Sequence, residues 1–255
     1  TIRRQRQMCI RDRESRMTRI AILDLTTHPE ALLTGSMRVW QSISGWLSPA
    51  FAEADMRPFD IAEGEMPLPH TGDFDGLIVS GSEFGVYDDI GWIAPLQRLL
   101  LDTRAAGKPI FGICFGHQIM ADTFGGRAEK ASVGRVVGAR KFQHAPHQSG
   151  PKNFTAHVWH QDQVTRVPPG ARVTAHAAYC PVAALDYDFA ARSVQYHPEY
   201  DAVHLQDLFT RGRNVFLDGA TADKAAAEIK AADVPRDLDA MATAAFFRQA
   251  LAAKT

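Results

Sequence analysis

Cysteine is scarce in this chain: Cys9, Cys114 and Cys180 are the only three in 255 residues. Three scattered thiols cannot make a disulfide framework and lack the paired spacing of a zinc knuckle. They suit a reducing cytoplasm, where the protein is expected to reside. An excess of charge of either sign is also missing. Lys plus Arg number 28 against 29 Asp plus Glu, a formal net charge of −1, so there is no electrostatic footprint for nucleic acid or an anionic membrane surface. No apolar run approaches the ~20 residues that span a bilayer. Also absent are a phosphate-cradling glycine loop, a Walker lysine, a nucleotide-binding unit and any internal repeat. These absences leave small-molecule chemistry without a cofactor, a nucleic acid or a membrane. At this length the chain can bury a full core as one large domain.

The first segment stands apart. Thr1 to Arg16 is dense in charge, without periodicity and without a targeting pattern built on an apolar stretch. Met8-Cys-Ile-Arg-Asp-Arg13 is also what a common sequencing-library adapter yields when read as codons. Residues 1–16 are therefore expected to be a non-native or disordered leader, with Met17 as the natural start. A disordered basic arm is the alternative reading, and the nucleotide record of those codons decides between them. Residues 17–215 are expected to form the main domain and 216–255 a helical C-terminal extension.

The pattern from Arg19 onward alternates strand with helix. Arg19 to Leu25, Met56 to Ala62 and Phe74 to Ser80 read as strands; Met37 to Phe51 and Trp92 to Ala106 carry apolar residues at helical spacing. The third strand opens into Gly81-Ser-Glu-Phe-Gly85, at the strand end where ligands bind in open α/β sheets. Beyond Gly126 come shorter alternating segments, Arg135 to Phe142, Phe154 to His160, Arg172 to Tyr179, Val182 to Tyr187 and Arg192 to Tyr196. They are expected in hairpin-like succession, extending a parallel core on one side. Asp201 to Arg213 reads as a helix, and the alanine-rich tail from Thr221 to Ala253, broken at Pro235, as two more.

One stretch organises the rest. Pro109 to Ile113 is a nearly unbroken apolar strand that runs into Cys114, flanked at two residues on either side by Gly112 and Gly116, and then into a helix carrying Ile119, Met120 and Phe124. A sharp strand-to-helix turn forces unusual backbone angles and leaves no room for neighbouring Cβ atoms. It would push the sulfur outward, towards the free N–H groups of the helix's first turn, which favour a thiolate. Most free cysteines are small buried hydrophobes. Gly-x-Cys-x-Gly-x-Gln directly after a strand reverses that reading and marks Cys114 as a nucleophile.

A cysteine nucleophile needs a base within reach, and the base needs a third group to hold its tautomer. Gln195-Tyr-His-Pro-Glu199 supplies both. Pro198 forbids helix, and in extended backbone residues two apart project to the same side, so Glu199 can brace the imidazole of His197.

Gly112-Ile-Cys-Phe-Gly-His-Gln118 together with Gln195-Tyr-His-Pro-Glu199 resembles the class I, triad-type glutamine amidotransferases, over roughly Ile20 to Arg213. The resemblance implies an α/β, flavodoxin-like open mixed sheet: a mostly parallel core, an antiparallel extension and helices on both faces. It implies that Cys114 attacks the γ-carboxamide of L-glutamine, that His197 relays protons and that Glu199 orients His197. A γ-glutamyl thioester forms and is hydrolysed to glutamate, and ammonia is released. The oxyanion-hole donors would be the N–H groups of Phe115 and Gly81. Ser80-Gly-Ser82 stands where the family carries a Gly-Gly-Pro/Ser loop, with Ser80 departing from the usual first glycine. Gln118 and Ser82 would contact substrate. So would His160, in His157-Val-Trp-His-Gln-Asp-Gln-Val164, which resembles the family's His-x-Asp-x-Val segment. The spacing of His144, His147, His157 and His160 matches no zinc pattern, and no metal is expected.

Either a separate synthase subunit accepts the ammonia, or the hydrolysis is itself the purpose. A competing reading is a stand-alone enzyme that cleaves γ-glutamyl peptides, which Gly112 to Gln118, His197-Pro-Glu-Tyr200 and Phe59 to Pro67 also resemble. A wider pocket near Tyr87, Trp92 and Tyr200 would favour it. A third reading is a non-catalytic regulatory member of the fold, against which the intact Cys114, His197 and Glu199 argue.

Overall fold

The computed structural model describes residues 17–27, 37–64, 67–146 and 151–253. The expectation for residues 1–16 falls outside these, as do His147 and two residues, 65 and 66, of the Phe59 to Pro67 segment.

In chain order the elements are β1 (Thr18–Asp24), α1 (Val39–Leu47), β2 (Ala54–Asp60), β3 (Gly76–Val79), α2 (Ile93–Ala105), β4 (Ile110–Ile113), α3 (Phe115–Thr123) and β5 (Arg127–Lys130). The antiparallel part then follows: β6 (Val136–His144), β7 (Asn153–His160), β8 (Asp162–Arg166), β9 (Arg172–Ala177) and β10 (Cys180–Asp186). The chain closes with β11 (Ala191–Val194), α4 (Ala202–Gly212), α5 (Gly219–Ala231) and α6 (Arg236–Ala252).

Among the described residues nine strands form one sheet in the order β2-β1-β3-β4-β11-β10-β9-β6-β7. The first five are mutually parallel, and from β10 onward every pairing is antiparallel. Both central strands, Gly-Leu-Ile-Val and Ile-Phe-Gly-Ile, are buried along their whole length. That is what an apolar run without alternation requires, because helices cover both faces. β1 shows the division. Ile20 and Ile22 join Val39, Ile43 and Leu47 of α1 and Phe247 of α6 in one core, whereas Ala21 and Leu23 join Leu96 and Leu100 of α2 and Ile119 of α3 in the other. Each fully buried Leu or Ile contributes roughly 1.5–3 kcal/mol. α6 packs directly on the sheet, since a Cβ on Gly76 of β3 would lie 2.8 Å from the Phe247 ring.

The sequence expectation of hairpin-like succession holds for β6 with β7 and for β9, β10 and β11, but β11 also lies parallel to β4, with Ile113 opposite Val194. It is thereby the last strand of the parallel core. Two elements escaped the sequence reading altogether. β5 and β8 pair as a separate two-stranded sheet; the expected strand Phe154 to His160 is β7, and β8 follows it after Gln161. Arg-Ala-Glu-Lys has little to mark it as a strand, and only its partner makes it one. Among the described residues no helix is long and apolar enough to cross a membrane.

Candidate active site

The parallel register brings the carboxyl ends of β3, β4 and β11 to one edge of the sheet, and the segments that leave them carry the candidate residues. Cys114 follows β4 with φ 53° and ψ −101°, a backbone region that L residues rarely occupy. The flanking glycines are needed for close approach. A Cβ on Gly116 would sit 2.2 Å from the carbonyl oxygen of Val79, and one on Gly112 2.5 Å from Met120 Sδ and 2.6 Å from the Gly116 carbonyl. The turn is pinned by Cys114 N–H donating to Val194 O (2.8 Å) and Gly116 N–H donating to Ser80 O (3.0 Å). The second bond corrects the sequence expectation: one of the first-turn N–H groups of α3 serves the β3 loop rather than the sulfur.

His197 and Glu199 leave β11 just past its last residue. His197 Nδ1 lies 2.7 Å from Glu199 Oε1, with both side chains buried. Burial by itself would lower the pKa of His197. The Glu199 carboxylate and the Cys114 sulfur outweigh it and hold the imidazole well above its ordinary value. His197 N–H donates to His157 O (2.8 Å), and the Tyr200 ring stacks on the imidazole with centroids 4.5 Å apart and planes 10° from parallel.

Gly81 sits where these two segments meet. A Cβ there would fall 3.1 Å from His197 Cε1 and 3.6 Å from Cys114 Cβ. Ser80, the departure from the family loop, is fully buried and doubly used: its hydroxyl accepts from Leu25 N–H (2.9 Å) and donates to Gly81 O (2.7 Å).

Cys114, His197, Gly81, Ser82, Gln118 and His160 all line one cavity of about 260 Å³. Gln118 is buried and donates to Asp162 O (2.9 Å) and Gln195 Oε1 (3.2 Å). His160 is neutral near pH 7, its pKa pushed down to about 4 by burial. Its Nδ1 donates to Asp162 O (3.2 Å), which leaves Nε2 as an acceptor. Nε2 and Asp162 Oδ1 are both buried without a partner among the described residues. Two expected residues do not line the cavity. Glu199 stands behind His197, and the Phe115 side chain turns into the opposite core, where it packs edge-on against Trp92. Of the aromatic residues expected to widen the pocket, Tyr200 lines it but Tyr87 and Trp92 do not.

Residues 41–208 match the family model of glutamine amidotransferase class-I. The chain belongs to this family. Gamma-glutamyl peptidase 5 of Arabidopsis thaliana is 31% identical over 189 residues, 70% of this chain and 75% of that protein. A glutamine-hydrolyzing GMP synthase of Azoarcus sp. (strain BH72) is 33% identical over 160 residues, 57% of this chain and 29% of that protein. Among solved structures, a glutamine amidotransferase of Thermotoga maritima matches with a TM-score of 0.69 at 14% identity, covering 92% of this chain and 98% of that one. Another, from Methylobacillus flagellatus, matches with a TM-score of 0.68 at 22% identity, covering 93% and 94%. These structural likenesses carry the fold, a flavodoxin-like open sheet.

In this class-I amidotransferase chain the sequence reading missed the sulfur's hydrogen-bonding neighbours. The Cys114 thiol points at Trp159 O (3.6 Å), and Gln195 Nε2 donates to Sγ (3.6 Å). Gln195 lies inside the quoted Gln-Tyr-His-Pro-Glu motif, two residues before His197, and the expected strand Arg192 to Tyr196 includes it, so an alternation continued to His197 could have placed the two on one side. Trp159 acts through its backbone, which leaves no mark on residue type. Cys180, the other described thiol, is fully buried away from the cavity, and burial pushes it up to about 12, in keeping with a core residue. Among the described residues no three His, Cys, Asp or Glu side chains gather as a metal ion would require.

Proposed function

We propose that the protein hydrolyses the γ-carboxamide of glutamine with Cys114 as nucleophile, and that the carrying observation is the buried His197–Glu199 pair, whose imidazole lines one cavity together with Cys114. Cys114 Sγ attacks the amide carbon and forms a C–S bond. The oxyanion that develops is met by the backbone N–H groups of Gly81 and Phe115, which cost no reorganisation. The C–N bond then breaks as His197 Nε2 gives its proton to the departing nitrogen, releasing ammonia and leaving a γ-glutamyl thioester. Water adds to the thioester carbon and yields its proton to His197. The C–S bond breaks, and glutamate leaves the regenerated thiolate. Glu199 holds the imidazole's orientation and stabilises its charged form. The unpartnered acceptors His160 Nε2 and Asp162 Oδ1 suit the α-ammonium of a glutamyl group. A separate synthase chain would take the ammonia, as the likeness to part of a GMP synthase suggests.

A second reading keeps the acyl enzyme and changes the leaving group to an amino acid or amine. It is favoured by the apolar side chains of Met37, Val39, Leu208 and Phe216 in the cavity lining. Loss of ammonia from glutamine requires no such surface.

The test incubates the protein with glutamine and with γ-glutamyl dipeptides and measures glutamate release in wild type and Cys114→Ala. Turnover of glutamine raised by an added synthase subunit selects the first reading; rapid peptide turnover without a partner selects the second. Activity surviving Cys114→Ala removes both.

A further inference from the structure

The family match ends at residue 208, yet the first residue of α6 returns to the proposed active site. Arg236 Nε donates to Pro198 O (2.9 Å) and one terminal nitrogen donates to Glu199 O (2.7 Å). These carbonyls belong to the peptide groups on either side of Glu199. A guanidinium is a planar fork of fixed geometry. Bonded to two successive carbonyls, it sets the orientation of both peptide planes and therefore the direction in which the side chain between them projects.

Glu199 depends on such a constraint. Its Oε1 is bonded to His197, while its Oε2 is buried without a partner among the described residues. Side-chain bonds alone leave the carboxylate held at one end, so the backbone must set its position. Arg236 is itself anchored. Its carbonyl accepts from Trp46 Nε1 of α1 (3.0 Å), and one turn on, Asp239 accepts from the hydroxyl of Tyr196 (3.4 Å), the residue just before His197.

We propose that Arg236 is a positioning residue: its guanidinium locks the Pro198 and Glu199 carbonyls so that the Glu199 carboxylate meets His197 Nδ1, which makes the C-terminal helix part of the active-site machinery. This rests on the reading of Cys114, His197 and Glu199 as the reacting triad.

The experiment compares full-length Arg236→Ala, Arg236→Lys, Arg248→Ala and His197→Ala with wild type. Its readouts are kcat and KM for glutamate release, melting temperature, and the pH dependence of Cys114 alkylation by iodoacetamide, which needs no substrate. Arg236→Ala is expected to lower kcat by roughly 10- to 100-fold with little change in KM, as a small misplacement of a reacting group does. The alkylation limb that reports the imidazolium should move to lower pH. Arg236→Lys should fall between, because a lysine offers a point charge in place of a fork. If Arg236→Ala does not fold, the lysine variant carries the same readouts. Millimolar guanidinium should restore part of the lost kcat. Arg248 ties the far end of α6 to Glu53 and to Ala50 O; Arg248→Ala should lower the melting temperature and leave kcat and the pH profile alone. Wild-type kcat and pH profile in Arg236→Ala would overturn the proposal, as would an equal kcat loss in Arg248→Ala at equal loss of stability. If wild-type alkylation is the same in His197→Ala, the triad reading fails and this inference with it.

Discussion

His197 and Glu199 are joined by a 2.7 Å contact between Nδ1 and Oε1, in a place where both side chains are closed off from water. The carboxylate is the main charge that raises the pKa of the imidazole against the opposing effect of burial. Glu199→Gln keeps the shape and removes the charge. We expect kcat to fall on the order of 10²- to 10⁴-fold, as when a triad carboxylate is neutralised, and the His197 proton to be lost at lower pH. The upper limb of the pH–rate profile checks this, and a limb that stays in place would show that Glu199 is not what holds the proton.

Gly81 and Gly116 separate a chemical effect from a folding effect. Gly116→Ala drives a methyl to 2.2 Å from a backbone carbonyl that cannot move aside, so it should cost several kcal/mol, roughly the upper range for overpacking. Gly81→Ala meets the His197 ring at 3.1 Å, tight but yielding. It should fold, within about 1 kcal/mol of wild type, and lose activity by displacing the imidazole. Denaturant midpoints and kcat on both variants test the contrast, and an active Gly81→Ala enzyme would refute it.

Ser80→Ala leaves Leu25 N–H buried without its acceptor and frees the Gly81 carbonyl. The expected loss is about 1–3 kcal/mol, the cost of an unsatisfied buried donor. A drop in kcat should accompany it if the Ser80 hydroxyl holds the Gly81 loop in register. Urea unfolding together with single-turnover rates measures both, and a neutral substitution would mean that water replaces the hydroxyl.

Acid stability should depend on His117. Its Nε2 donates to Val182 O (3.1 Å), so its Nδ1 accepts from Ser193 Oγ (2.8 Å), and burial lowers its pKa to about 4. The unfolded chain binds this proton below about pH 6.5, whereas the folded protein refuses it until about 4. Stability is therefore complete above pH 6.5 and falls as the pH drops through that window, by roughly 1–3 kcal/mol. His160, lowered in the same direction, adds to the trend. In His117→Gln the urea midpoint should be lower at pH 7.5 but change less between pH 6.5 and 4. An unchanged slope would place the acid sensitivity elsewhere.

Residue type and spacing alone announced the buried parallel strands, the turn at Cys114 and the pairing of His197 with Glu199. Each is a local matter: an apolar run with no alternation, glycines where no Cβ fits, and two side chains on one side of an extended segment. The tail's two helices were legible for the same reason, from alanine content and Pro235. Contacts between distant segments left no such trace. Trp159 meets the Cys114 sulfur through a backbone carbonyl that any residue possesses, Arg127 to Lys130 becomes a strand only because Asp162 to Arg166 lies beside it, and Arg236 reads as an ordinary charged residue after a proline. Only the folded chain, by setting α6 against the Pro198 turn across 37 residues of sequence, decided that its guanidinium would meet those carbonyls. Local chemistry is written in the order of the side chains, whereas the meeting of remote backbone groups depends on the packing of the whole sheet and its helices.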